Sequence, residues 1–302
     1  MKRPSVSVII PTTVEWPASE PIVSALQAQV VDAGAEIVVV DGTPTGTALD
    51  LGLRGARHEH LRVIHSPGSD IFTLRSRGLA EAAGEIVAMT EEHCVPAPDY
   101  ITTILASHVR HPEQAIAGAV VNGSTRRLID RVNFMVVHAR NLPPREELPG
   151  DAWIPTASNA SYKRVAISSA HDEPGWLETV RHVQLLHAHE IAFDDGIVVA
   201  HVQSLGVLGT FRNHFHAGRS TGGLARTAIG SRARQLRWGL RSTASLPVHL
   251  TRPVWQLRNR WSGTSSPIVL VLPIALALSM FDAIGFIFGV IAGPGRSPWR
   301  LS

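Results

Sequence analysis

Between residues 5 and 111 the chain switches repeatedly between two hydrophobic periods. The runs "SVSVII" (5–10), "EIVVVDG" (36–42), "LRVIH" (61–65) and "EIVAM" (85–89) are short, apolar and rich in β-branched residues, which predicts four strands. The stretches between them carry apolar residues at helical spacing. "EPIVSALQAQVVDAG" puts Ile22, Val23, Leu26 and Val30 on one face and stops at Gly34; "TLRSRGLAEAAG" (73–84) closes on Gly84; "DYITTILASHVRH" (99–111) gives a third helix. Strands that are apolar throughout, alternating with helices, predict an α/β fold with a mainly parallel sheet covered on both faces. Ligands in such folds sit at the carboxyl ends of the strands.

Polar residues collect at those ends. Pro11, Thr12 and Thr13 follow the first strand, Asp41 and Gly42 the second, Ser66 the third, and Glu91, Glu92 and His93 the fourth. No G-x-G-x-x-G opens a helix after the first strand and no G-x-x-x-x-G-K-[ST] occurs, so a dinucleotide-binding Rossmann domain and a phosphate-loop ATPase lose their main support. Residues 126–155, with the Pro-rich and charged "NLPPREELPGDAWIP", read as loop; "WLETVRHVQLLHAHE" follows as a helix and "GIVVAHV" as an apolar strand near His201.

Composition changes this picture at the C-terminal end. The chain of 302 residues is 44% hydrophobic and only 18% charged, low for a soluble globule. From Gly196 to Met280 there is no Asp or Glu, while Arg212, Arg219, Arg226, Arg232, Arg234, Arg237, Arg241, Arg252, Arg258 and Arg260 all fall there, so this segment is expected to face something negative. Residues 267–293, "PIVLVLPIALALSMFDAIGFIFGVIAG", are apolar but for Ser279 and Asp282; at about 1.5 Å per residue they are long enough for roughly 30 Å of hydrocarbon. Arginines flanking a span read as positive-inside anchors on anionic lipid, which favours membrane over nucleic acid as the partner. A buried core helix, or a hairpin re-entering at Pro273, is the alternative. The start, "MKRPSVSVIIPTT", is too short in apolar residues for a signal peptide, and the single Cys94 excludes an intramolecular disulfide; the N-terminal part is therefore expected in the cytosol.

Over roughly residues 4–220 the sequence resembles a family 2 glycosyltransferase of the GT-A fold. The resemblance is carried by "VSVIIPTT", by "EIVVVDG", by the helix "RSRGLAEAAGE" from Arg75 to Glu85, and by "EIVAMTEEHCVPAP" with its acidic cluster and Pro-x-Pro turn. It implies a GT-A domain over 1–220, to which the charge and hydropathy readings add an Arg-rich membrane-surface helical region over 221–266, a transmembrane helix over 267–293 and a short tail over 294–302. It further implies that Pro11, Thr12, Asp41, Arg75, Glu91, Glu92, Arg212 and Arg219 bind the nucleotide sugar, with Asp41 capping a turn as the alternative. Glu91, His93 and His201 would hold a divalent cation, Mn2+ or Mg2+. His93 stands where the family places an aspartate, and Mn2+ accepts imidazole more readily than Mg2+ does. A solvated turn is the alternative for the Glu-Glu-His triplet, a structural role for His201, and membrane binding for Arg212 and Arg219.

Trp153, Ser158 and Asn159 would belong to the loop that receives donor and acceptor. Glu178, in "GWLETVRHV", matches the acid that serves inverting enzymes as general base, with a helix-cap role as the alternative; the family's usual second acid is Thr179 here. The expected activity is inverting transfer from a nucleotide-diphosphate sugar to a lipid-linked or cell-envelope glycan at the cytosolic face of the cell membrane. A nucleotidyltransferase starts similarly but needs a Gly-rich basic loop that "PTTVEWP" lacks. A non-catalytic membrane scaffold is the reading that the Glu-Glu-His variant and the missing second acid would favour.

Overall fold

The computed structural model describes residues 3–15, 18–47, 60–145, 156–167, 174–203, 205–228, 254, 257, 258, 260, 261 and 267–301. Trp153 and most of the Arg-rich region 221–266 lie outside them. The chain divides into two compact units, one formed by residues 1–121 and 141–202, the other by 122–140 and 203–302.

The first unit is built on a sheet of order β3-β2-β1-β4-β7-β6-β8-β5, comprising β1 (Val6–Thr12), β2 (Glu36–Asp41), β3 (Leu61–His65), β4 (Ile86–Thr90), β5 (Cys94–Pro96), β6 (Ala115–Asn122), β7 (Asn159–Lys163) and β8 (Ile191–His201). The first four strands are parallel, as their uninterrupted apolar character predicts; β1 and β2 are buried along their whole length. The other half is antiparallel: β7 pairs with β4 and β6, and β5 with β8. That half was poorly visible in the sequence, because β5 has three residues and β6 is an apolar run interrupted by Gly118. Gly118 is required there, since a Cβ would lie 2.3 Å from the Asn159 amide nitrogen.

Helices α1 (Glu20–Ala33), α2 (Ile71–Glu81) and α3 (Tyr100–Arg110) fall where the periodicity predicts. α1 ends at Gly34, whose φ of 59° suits the left-handed cap that glycine adopts freely. Asp70 caps α2 by accepting from the backbone N–H groups of Phe72 (2.9 Å) and Thr73 (3.2 Å). Helix and sheet meet through Ile9, Val38, Val40, Leu74, Leu79, Val87 and Met89, with Tyr162 completing the same core.

One expectation fails. Within residues 126–155, read as loop, α4 runs from Leu128 to His138. Its buried face includes Ile129, Val132 and Met135 at helical spacing, but Asp130, Asn133 and His138 are buried with them and blur the apolar stripe. The polar groups find partners within the second unit: Asp130 pairs with Arg127 at 2.7 Å, and His214 lies 2.7 Å from Asn133 Oδ1.

The second unit also holds α6 (Gly206–Ala228) and α7 (Ile268–Ala292), named after a short α5 (His182–His187) in the first unit. The apolar run 267–293 forms α7, a helix of 25 residues that is long and apolar enough to cross a membrane, with Pro273 inside it. It packs on α6 so closely that a Cβ on Gly218 or Gly222 would strike the α7 backbone, and one on Gly285 or Gly289 the α6 backbone. Small residues at such a seam let two helix backbones touch.

Candidate active site

The carboxyl ends of β1, β2 and β4 bring most of the expected residues of the first unit to one end of the sheet. Thr12 and Asp41 are register partners at the ends of β1 and β2, and both are buried. Asp41 Oδ1 accepts from the Thr43 N–H (2.8 Å) and hydroxyl (2.6 Å), so the carboxylate shapes its own turn. The Thr12 hydroxyl donates to Val14 O at 3.1 Å and lies 3.2 Å from the Ser19 hydroxyl. Pro11, one residue earlier, is buried in β1 opposite Val40.

Glu91 follows β4 and is the hub of the site. Arg75 reaches it from α2, where it occupies the core-facing side one turn from Phe72 and Leu79; only 8% of the residue is exposed. Its guanidinium donates to Glu91 Oε1 at 2.9 Å and to Glu178 Oε1 at 3.0 Å. Burial works against that charge, yet the carboxylates of Glu178 and Glu91 outweigh it and raise the Arg75 pKa above its ordinary value. The second oxygen of Glu91 accepts from the Ser158 hydroxyl at 2.7 Å. Antiparallel β7 explains that contact, because Asn159 pairs with Thr90 and so sets Ser158 beside the end of β4.

Glu178 comes from a wide π-helical turn, Leu177–Arg181, that leads into α5. Such turns are uncommon and recur at functional sites. Behind it, the Tyr162 hydroxyl lies 2.7 Å from His182 Nε2, a fully buried pair.

On the other side of Glu91, His93 Nε2 stands 3.6 Å from Glu91 Oε2 and 2.9 Å from His201 Nε2. The two rings meet edge-on, with centroids 4.5 Å apart. Two ring nitrogens at that distance cannot both carry a proton, so at least one lone pair points into the gap. With Cys94, these residues present four donor atoms all within 4.8 Å of one another, a grouping suited to a metal ion. The three residues expected to hold a cation are therefore together, and Cys94 joins them.

Glu92 is not part of that group. It is 6% exposed, and burial raises its carboxyl pKa against the opposing pull of His93. Asn159, expected in the donor and acceptor loop, is instead fixed inside the sheet. Its amide donates to Ala119 O and Ile197 O, both at 2.9 Å, and its carbonyl accepts from Tyr100 at 3.2 Å. Arg212 and Arg219 belong to the second unit: Arg212 is exposed on α6, and Arg219 donates to Gly293 O at 3.2 Å and lies over the Phe288 ring.

Residues 7–169 match the model of glycosyl transferase family 2, over half of the chain. The chain belongs to that family. No curated protein sequence gives a significant match. Among solved structures, a mannosyltransferase from Pyrobaculum calidifontis, in complex with GDP-Man and Mn2+, aligns with 99% of this chain and 88% of its own at 18% identity and a TM-score of 0.52. Glucosyl-3-phosphoglycerate synthase from Mycobacterium tuberculosis, with Mn2+, UDP-glucose and phosphoglyceric acid, aligns with 67% of this chain and 73% of its own (21% identity, TM-score 0.46). TarS from S. aureus aligns with 94% and 89% (12% identity, TM-score 0.49). At 18% identity the likeness to the mannosyltransferase is one of fold, and it agrees with the GT-A architecture expected for this family 2 glycosyltransferase.

Proposed function

We propose that this glycosyltransferase moves a sugar from a nucleoside-diphosphate donor to a hydroxyl of a lipid-linked or cell-envelope glycan, with inversion, at the cytosolic face of the cell membrane. The observation that carries the reading is Arg75, which ties Glu91, at the cation cluster, to Glu178, the candidate base, through one guanidinium. A donor-side and an acceptor-side carboxylate are thereby held in fixed relation, as a reaction between two bound substrates requires.

The chemistry assigned to these residues is a single displacement. The acceptor hydroxyl attacks the anomeric carbon, Glu178 takes its proton, and the bond from that carbon to the diphosphate breaks with its electrons passing to the leaving oxygen. Arg75 serves two carboxylates at once, so Glu178 shares its guanidinium with Glu91. A divalent cation held by Glu91, His93 and His201 would supply charge stabilisation to the departing diphosphate. Thr12 and Asp41, at neighbouring strand ends, are proposed to meet the nucleoside, and Ser158 to hold Glu91 in place. Trp153 remains a candidate for the acceptor.

The membrane assignment is supported by the apolar α7, whose Phe281, Ile284, Phe288 and Ile291 are exposed at helical spacing. A membrane-bound chain meets a lipid-linked acceptor in two dimensions, which favours that acceptor class. Nucleotide protection tests the reading. UDP, GDP or TDP with a divalent cation should raise the melting temperature; failure of all three would remove the donor from the account.

A further inference from the structure

The cation cluster differs in chemistry from an all-oxygen site. Its donors are one carboxylate oxygen, two imidazole nitrogens and one thiol sulfur: Glu91, His93, His201 and Cys94, within 4.8 Å of one another. Three of the four sit on or beside paired backbone. Cys94 and His201 are directly opposed in the antiparallel pair of β5 and β8, so their side chains leave the same face of the sheet. His93 precedes Cys94, and its carbonyl accepts from the Val202 N–H at 2.8 Å. A donor group fixed in this way by a strand pair is preorganised, and Cys94, fully buried, faces no competing solvent.

Mg2+ demands oxygen ligands and keeps much of its water, while thiolate and imidazole favour the later divalent ions. Zinc is held by this combination of Cys, His and carboxylate, and four is the number of donors it uses. We propose that Glu91, His93, Cys94 and His201 form a thiolate-containing site that takes zinc in preference to Mg2+ or Mn2+, with Cys94 as a ligand. The inference builds on the cation site of the proposed transferase, but it concerns which ion is held. On binding, the cation replaces the thiol proton, which is released to solvent. Glu91 already accepts from Arg75 and Ser158, which would keep its carboxylate in place if a phosphate oxygen of the sugar donor replaced it on the ion.

The test reads the metal and not the sugar. The full chain, purified in detergent and exposed to equal Zn2+, Mn2+ and Mg2+, is expected to retain one zinc per chain that excess Mn2+ and Mg2+ do not displace. Loaded with Co2+, it should show a thiolate-to-cobalt charge-transfer band that Cys94→Ser abolishes while the weaker ligand-field bands persist. Zinc affinity should fall at least about tenfold in Cys94→Ser, since loss of even an outer partner of a ligand costs roughly 10–100-fold. Circular dichroism of the metal-free variant controls for folding, and the cobalt band of the wild type decides alone if the variant does not fold. Absence of that band, unchanged zinc affinity in Cys94→Ser, or displacement of zinc by Mg2+ would each overturn the assignment. Sugar transfer supported by Mg2+ without the band would sink this site and leave the proposed function standing. The band in a chain that transfers no sugar would do the reverse.

Discussion

Arg75 joins Glu178 at 3.0 Å across 103 residues of sequence, and the same guanidinium holds Glu91 at 2.9 Å. Removing it leaves two carboxylates facing each other with no cation between them. Breaking a buried ion pair costs roughly 3–5 kcal/mol, and the glutamates here are a fifth exposed, which puts Arg75→Met at the lower end. Arg75→Met is expected to lose both stability and nucleotide protection. Arg75→Lys, which keeps the charge but not the two-pronged geometry, should recover stability more than activity. Chemical denaturation alongside a transfer assay separates the two; a Lys variant restored equally in both would contradict the positioning role.

Gly78 is a packing residue. A Cβ there would stand 2.4 Å from Ile9 Cγ2, because α2 lies directly on β1 at that point. Gly78→Ala is expected to destabilise by about 1–3 kcal/mol. Nucleotide binding, measured well below the melting temperature, should be retained.

These two positions show what the sequence made legible. Arg75 is marked by the family resemblance alone, its place on the core-facing side of α2 being seen only in the structure, whereas apolar runs locate the four parallel strands. The antiparallel half was harder to see, since its strands take meaning only from register: Cys94 comes beside the histidines once it is opposite His201, and Ser158 becomes a Glu91 partner once Asn159 is opposite Thr90. The Arg75 to Glu178 bond has no local signal at all, for it depends on how the π-helical turn packs. α4 was missed because its buried face carries Asp130, Asn133 and His138.

Buried histidines set the acid limit of the fold. Burial, then Arg75, pushes His182 down to about 3, and burial, then Lys163 and His111, pushes His108 down to about 4. The unfolded chain protonates these groups near 6.5, so below that pH it takes up protons that the folded chain refuses. Stability should therefore fall as pH drops from about 6.5 towards 4, by up to about 1.4 kcal/mol per pH unit for each histidine. Denaturation midpoints measured across that window should be less pH-dependent in His182→Gln; an unaltered slope would contradict the assignment.

The exposed stripe of α7 predicts how the chain partitions. A charge at the centre of a span costs about 2.5–3.5 kcal/mol, so Ile284→Asp with Phe288→Asp is expected to shift protein from the membrane fraction to the soluble or aggregated fractions. Carbonate extraction distinguishes an inserted helix from one bound only by charge. Wild-type chain released by carbonate would rule out the span.

Glu178 carries the central claim, that the carboxylate tied to the cation cluster through Arg75 is the base of a sugar transfer. The most direct measurement is transfer from labelled nucleotide sugars to membranes and extracted lipids, comparing wild type with Glu178→Gln, whose amide oxygen still accepts from Arg75. Wild type should label an acceptor, and the variant should bind the nucleotide equally while transferring roughly 10²–10⁴-fold more slowly. A Glu178→Gln enzyme as active as wild type would contradict the account.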